Sequence, residues 1–423
     1  MSRESAVARW LDRASPAAFS AYAIGAAFTA YFCMYAFRKP WASADWEGDA
    51  VGPLQLKIAL GTAQLLGYAL SKFVGIKFVA ELSASRRALA LLLLVAFAEL
   101  ALVVFGAVGP TGKVIALYFN GLPLGAVWGL VFGFLEGRRT SELLGAGLSA
   151  SYIVASGAVK SVGAATMHWG VPPGWMPATT GLLFLPLFGL AVWALRQLPQ
   201  PTAEDIAART KREPMHGAQR RAFVLRFGFG LVVLTALYSV LTAYRNFRDD
   251  FAKEIWGALG HGNEPEIFTI SEIPVALTVL AALAVVYRIK DNRRAFFAIH
   301  WLMLTGTLLL AGATLLFDAG LIDGVTWMIL LGVGLYLAYV PFGCVLFDRL
   351  IAMTGTVGTA VFMIYVTDAF GYLGAIAINL IKNFSGAELS WLAFFRGFSY
   401  LTAAVCTVAF ATSAWYFADK TRR

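Results

Sequence analysis

Arg38 and Arg245 each stand at the end of a long apolar run, behind Ala36-Phe37 and Ala243-Tyr244, where lipid is the expected surrounding. A guanidinium in hydrocarbon is costly and is normally turned toward a protein interior or a wet cavity. Its planar fork of donors matches a phosphate or carboxylate better than a point charge does. Lys72 (in Tyr68-Ala69-Leu70-Ser71-Lys72-Phe73) and Lys160 (in Ser156-Gly157-Ala158-Val159-Lys160-Ser161) have apolar or small residues on both sides and fit a cavity equally well. Asp250, Glu272 and Asp368 offer acidic partners. Set against these three acids, the five cations Arg38, Lys39, Lys72, Lys160 and Arg245 leave positive charge in excess, and an anion is the expected guest. Tyr31 and Tyr35 share a helical face with Arg38 and can offer hydroxyls to an oxyanion or a ring to a sugar. Two readings compete: the arginines snorkel to the outer interface, and the tyrosines are ordinary packing.

No catalytic dyad, metal cluster or cofactor motif accompanies these residues, so neither an enzyme nor a cofactor is expected. Cys33, Cys344 and Cys406 lie in apolar runs, where thiols pack as small apolar groups. His168, His216, His261 and His300 lack ligand spacing.

The elements that hold these side chains are spans. A chain of 423 residues that is 59% hydrophobic and 14% charged, with mean hydropathy +0.69, carries more apolar surface than a soluble core can hide. A net charge of +9 would suggest nucleic acid on a soluble protein. Here the charges sit between apolar runs of about 20 residues, the length that crosses a bilayer, and nucleic acid is not expected. Six runs fall near Ala17 to Arg38, Leu54 to Val79, Ala88 to Val108, Val114 to Leu135, Leu143 to Met167 and Met176 to Leu195. Six more fall near Ala222 to Arg245, Ile267 to Val286, Ala295 to Phe317, Gly324 to Phe347, Thr356 to Ile381 and Trp391 to Phe417. The organisation expected is a six-helix half over 1–195, a cytoplasmic linker over 196–221 and a second six-helix half over 222–423.

Most of the 34 Lys and Arg residues fall in loops on one side. Lys39, Lys113, Arg248, Lys253, Lys382 and Arg396 fall on the other. By the positive-inside rule both ends are cytoplasmic, with the N-terminal segment a tail before a retained first span. The halves match at one constant offset: Ala36-Phe37-Arg38-Lys39 with Ala243-Tyr244-Arg245-Asn246, and Arg86-Arg87-Ala88 with Arg293-Arg294-Ala295. Duplication therefore makes Arg38 and Arg245 equivalent. Gly121, Gly125, Gly129, Gly133 and Gly137 recur every fourth residue in the fourth span, a pattern for close helix packing. Glu136, Arg138 and Arg139 at its inner end, with Glu81, Arg86 and Arg87, suggest a cytoplasmic gate cluster or a solvated loop.

Six plus six parallel spans with a central mid-membrane site is the architecture of the major facilitator superfamily. Within it the chain resembles the organophosphate:phosphate antiporters, the family of glycerol-3-phosphate and hexose-phosphate transporters. Tyr31-x3-Tyr35-x2-Arg38-Lys39-Pro40 looks like that family's tyrosine-rich face ending in Arg-Lys. Tyr68-x2-Ser71-Lys72-Phe73 looks like its Tyr-Gly-x-Ser-Lys-Phe, and Arg245-x4-Asp250-Phe251 is similar to its Arg-x4-Asp-Trp. The resemblance implies that Arg38 and Arg245 grip phosphate and that Tyr31, Tyr35, Tyr68 and Lys72 line the site. It also implies an ion pair between Lys39 and Asp250 that substrate weakens, with Glu272 answering Lys72. Two departures stand out. Lys160 stands where the family has a histidine in span five, and the loop Val79 to Arg87 lacks the usual Asp-Arg.

The function these readings imply is secondary transport of a small anionic, phosphorylated solute by alternating access, in exchange for phosphate. Proton-coupled symport of a carboxylate or sugar acid, with Asp368 or Glu272 carrying the proton, is the alternative. A non-transporting membrane receptor for an organophosphate is another. The setting expected is a bacterial inner membrane, with the lipid bilayer as surround and a monomer as the family's working form.

Overall fold

In hydrocarbon, a backbone can satisfy its own N–H and C=O groups only as helix or closed barrel, and apolar runs without alternating patterning take the first route. A computed structural model describes residues 5–82, 84–135, 138, 141–201, 217–354, 360–384 and 390–421. Two compact units, Met1–Thr210 and Lys211–Arg423, divide the chain. In the first, the long helices are α1 (Pro16–Met34), α2 (Leu56–Glu81), α3 (Ala84–Ala107), α4 (Pro110–Phe132), α5 (Ser141–His168) and α6 (Met176–Arg196). In the second they are α7 (Gly217–Asp250), α8 (Glu272–Tyr287), α9 (Asn292–Asp318), α10 (Gly324–Cys344), α11 (Ala360–Phe384) and α12 (Trp391–Lys420). Among the described residues, ten helices are long and apolar enough to cross a membrane. The other two expected spans coincide with α2 and α11, of 26 and 25 residues. The protein is an all-α, multi-pass integral membrane protein.

Local chemistry sets where these helices stop. The first span does not run to Arg38 as its apolar pattern suggests; α1 ends at Met34 and tightens into a 3₁₀ turn over Tyr35–Phe37. Pro40, lacking an N–H and bulky against the preceding turn, cannot continue a helix and instead starts a second 3₁₀ turn over Pro40–Ser43. No proline follows Arg245, and α7 continues to Asp250. The tenth span breaks before Phe347: α10 ends at Cys344, and a separate helix covers Leu346–Thr354. Beyond the Pro40 turn, a two-stranded ribbon pairs Ala50–Val51 with Leu54–Gln55.

Small residues let the helices close on one another. A side chain at Gly121 of α4 would put its first carbon 2.3 Å from the Gln64 carbonyl of α2, and one at Gly67 would meet the Tyr118 carbonyl at 2.2 Å. Gly125 lies against Ser71 and the Tyr68 carbonyl, as the spacing in span four predicts. In the second unit, Gly306 and Gly334 lock α9 to α10 in the same way, while Gly371 and Gly374 lay α11 against Tyr238, Ser239 and Thr242 of α7.

Three of the basic positions assigned to the second side are buried side chains. Arg248 lies within α7 and Lys382 within α11, and both are buried, as is Lys39. Two of them have a local partner inside the protein. Arg248 meets Glu272, and Lys382 stands 4.6 Å from the centre of the Trp391 ring. Of the proposed gate cluster, Glu136, Arg139 and the Glu81 side chain lie outside the described residues; so do Gly137 of the glycine series, His216 and residues 202–216 of the linker. Arg87 donates to the Gly133 carbonyl at 2.5 Å and Arg138 to that of Pro199.

Candidate functional site

In the first unit the site grows from the break after α1. Freed from the helix ladder, the turn's carbonyls need other donors, and two buried amides of neighbouring helices supply them. Gln64 of α2 donates to the Arg38 carbonyl at 2.8 Å and to Asn120 Oδ1 at 2.8 Å, and its own Oε1 accepts from Trp41 Nε1 at 3.2 Å. Asn120 of α4 donates to the Phe37 carbonyl at 2.8 Å and the Ala98 carbonyl at 3.0 Å. Lys57 donates to the Ala42 and Ala44 carbonyls at 3.0 and 3.2 Å, so this buried lysine holds the second turn in shape.

On this scaffold Arg38 is 2% exposed, with its guanidinium carbon 4.0 Å from the centre of the Tyr68 ring and 5.9 Å from that of Tyr35. Lys72 Nζ stands 5.6 Å from the same Tyr68 ring. Tyr31 meets Tyr35 edge-on at 5.7 Å and Trp128 at 5.0 Å. Two cations and four aromatic rings thus share one buried region, with cation–π contacts holding the charges. Lys160 is buried on α5. One turn along, Gly163 packs against Pro40 and Ser43, which sets that stretch of α5 against the turn after Arg38.

The second unit builds its counterpart differently. Arg245, half-buried within continuous helix, sets its guanidinium carbon 4.7 Å from the centre of the Tyr339 ring of α10. Tyr339 and Tyr238 share a hydrogen bond of 2.8 Å, and Tyr238 donates at 2.5 Å to Asp368 Oδ1. Asp368 therefore joins Arg245 in one cluster through two tyrosines. Asp250, the last residue of α7, is buried. Glu272, expected to answer Lys72, is bonded within its own unit: Arg248 reaches its carboxylate at 2.6 Å and the Met328 carbonyl at 3.0 Å. The register explains this: Arg248 is three residues beyond Arg245, nearer the end of α7 where α8 begins.

Sequence reasoning passed over Gln64, Asn120, Tyr238 and Tyr339. Tyr238 was within reach, because it follows Tyr31 by the interval that separates Arg38 from Arg245. A Tyr-x6-Arg unit therefore occurs in both halves. Tyr339 has no such signal, since α10 rather than α8 brings it to its arginine.

A family model described as "Family of unknown function (DUF5690)" matches residues 40–420. No curated protein matches the chain. Among solved structures, a D-xylose-proton symporter aligns at TM-score 0.65 with 13% identity, over 93% of this chain and 97% of that one. The nucleoside transporter NupG aligns at TM-score 0.58 with 14% identity, over 93% and 98%, and its D323A mutant at TM-score 0.57 with 13% identity, over 94% and 99%. The fold is the major facilitator fold.

Proposed function

We propose that this chain, which belongs to the DUF5690 family, is a secondary transporter that moves a small anionic, phosphorylated solute by alternating access. The observation that carries the reading is Arg38, a charged fork buried beside Lys72 and held against Tyr68 inside a membrane fold. Such a group repays its burial when an oxyanion takes up its donors. Arg245 on Tyr339 supplies the second grip. In this reading Tyr31, Tyr35, Tyr68 and Lys160 line the solute path, and Lys39 with Asp250 forms an ion pair that the solute loosens. The halves over 1–195 and 222–423 rock about the site, both termini lie in the cytoplasm of a bacterial inner membrane, and exchange for phosphate drives uptake.

A thermal-shift screen of detergent-purified protein tests the reading, using inorganic phosphate, glycerol phosphates, sugar phosphates, carboxylates and neutral sugars. Ligands that bind only the folded state raise the melting temperature. Phosphorylated solutes are expected to stabilise the wild type and to do nothing for Arg38→Gln or Arg245→Gln. Stabilisation by neutral sugars alone would refute the anion assignment.

A second reading, proton-coupled symport of a carboxylate or sugar acid, draws on the Tyr238–Asp368 hydrogen bond, which links a carboxyl through Tyr238 and Tyr339 to the ring that Arg245 meets. Proteoliposomes separate the two. Exchange needs phosphate inside the vesicle, whereas symport responds to an imposed pH gradient and is lost in Asp368→Asn.

A further inference from the structure

Glu99 is the sole charged residue of α3 beyond Arg87, set among alanine, leucine, valine and phenylalanine. It is 6% exposed, and neither carboxyl oxygen has a hydrogen-bond partner among the described residues. The place it occupies is shaped for it. A side chain at Gly181 of α6 would put its first carbon 2.1 Å from Oε2 and 3.0 Å from the Phe37 ring, so the carboxyl fits because residue 181 is glycine. Glu99 is also tied to the site: Asn120 bonds the Ala98 carbonyl, one residue away, together with the Phe37 carbonyl, one residue before Arg38.

The charged and titratable groups on the elements packed around this carboxyl are few. α6 carries none short of Arg196 at its far end. α4 carries Lys113, whose Nζ donates to the Phe105 carbonyl at 2.7 Å, and Tyr118, whose backbone faces Gly67 of α2. The turn carries Tyr35, packed on Tyr31, and leads into Arg38, stacked on Tyr68, and Lys39. A carboxylate in this apolar place is desolvated, and ionising it there carries an energetic cost.

We infer that Glu99 is a proton-binding site coupled to the Arg38 turn. Its protonated form leaves Arg38 to an anionic solute, and its ionised form draws the turn's cations toward itself and away from that solute. The proton and the anion then bind cooperatively, and by linkage each tightens the other. This rests on the anion-transport reading above and adds to it a proton carrier in the first unit.

The test uses the full-length protein and the variant Glu99→Gln, with two readouts. In infrared difference spectra taken across a pH step without ligand, the wild type should show a carboxylic-acid C=O band that Glu99→Gln lacks; absence of any band that the variant removes would overturn the site. Calorimetric titration with inorganic phosphate between pH 6 and 9 then tests the coupling. Phosphate itself titrates in this window, so the wild-type to variant ratio of Kd at each pH is the quantity read. One linked proton predicts a ratio near one at the acid end that climbs toward about tenfold per pH unit once Glu99 ionises. A ratio flat across the window would overturn the coupling. If phosphate fails to bind the wild type at every pH, the anion reading falls, and the infrared band still decides Glu99.

Discussion

The guanidinium of Arg38 rests 4.0 Å from the centre of the Tyr68 ring, in a region that excludes water from both. The ring face, and not the hydroxyl, carries this contact, and a desolvated cation–π pair is worth about 2 kcal/mol. Tyr68→Phe should therefore bind inorganic phosphate within about threefold of wild type, whereas Tyr68→Leu should lose about tenfold. Arg38→Lys keeps the charge but loses the fork and the stack, and its loss should exceed that of Tyr68→Leu. Calorimetric titration of the three variants checks the order.

Gln64 tests how far the turn depends on its amide supports. Gln64→Leu removes the donor to the Arg38 carbonyl and leaves Asn120 Oδ1 and Trp41 Nε1 without their partner. Buried polar groups left unsatisfied cost about 1–3 kcal/mol each. A lowered melting temperature together with weakened phosphate binding is expected. Trp41→Phe, which touches only one of these bonds, should keep its binding.

The close contact of α2 with α4 predicts a sharp difference between two glycines. Gly121→Ala forces a methyl group to 2.3 Å from the Gln64 carbonyl, and separating packed backbones costs about 1–3 kcal/mol. Gly25 in α1 has nothing within 4 Å, so Gly25→Ala should be neutral or stabilising through helix propensity. Melting curves of the two proteins in one detergent make the comparison.

Arg248 and Glu272 form a buried pair, and removing one member strands the other. Glu272→Gln and Arg248→Met should each destabilise by about 3–5 kcal/mol, with the double variant less damaged than the sum. Because Glu272 is engaged here, Glu272→Gln should leave the pH dependence of uptake in place. An uptake profile that turned flat in this variant would return Glu272 to the role of proton carrier.

Composition and run length by themselves determined that the chain is a helical membrane protein, because in lipid a backbone has so few ways to satisfy itself. The constant offset linked Arg38 to Arg245 and carries Tyr238 as the match of Tyr31, whereas the broken turn at Arg38 ran against the apolar pattern although Pro40 stands two residues on. The spacing of glycines in the fourth span read correctly as close packing at Gly121 and Gly125. Only tertiary structure decided which ring each arginine meets. At the repeat offset Tyr68 corresponds to Val275 and Tyr339 to Phe132, so the duplication that preserved the cations did not preserve their platforms. The same holds for Glu272, whose partner depends on which residue of α7 lies opposite the start of α8, and for Glu99, whose carboxyl fits because α6 presents a glycine there. Periodicity and hydropathy act along one helix, whereas partner choice is set across helices, by backbone approach and by the cost of leaving a buried charge or amide alone.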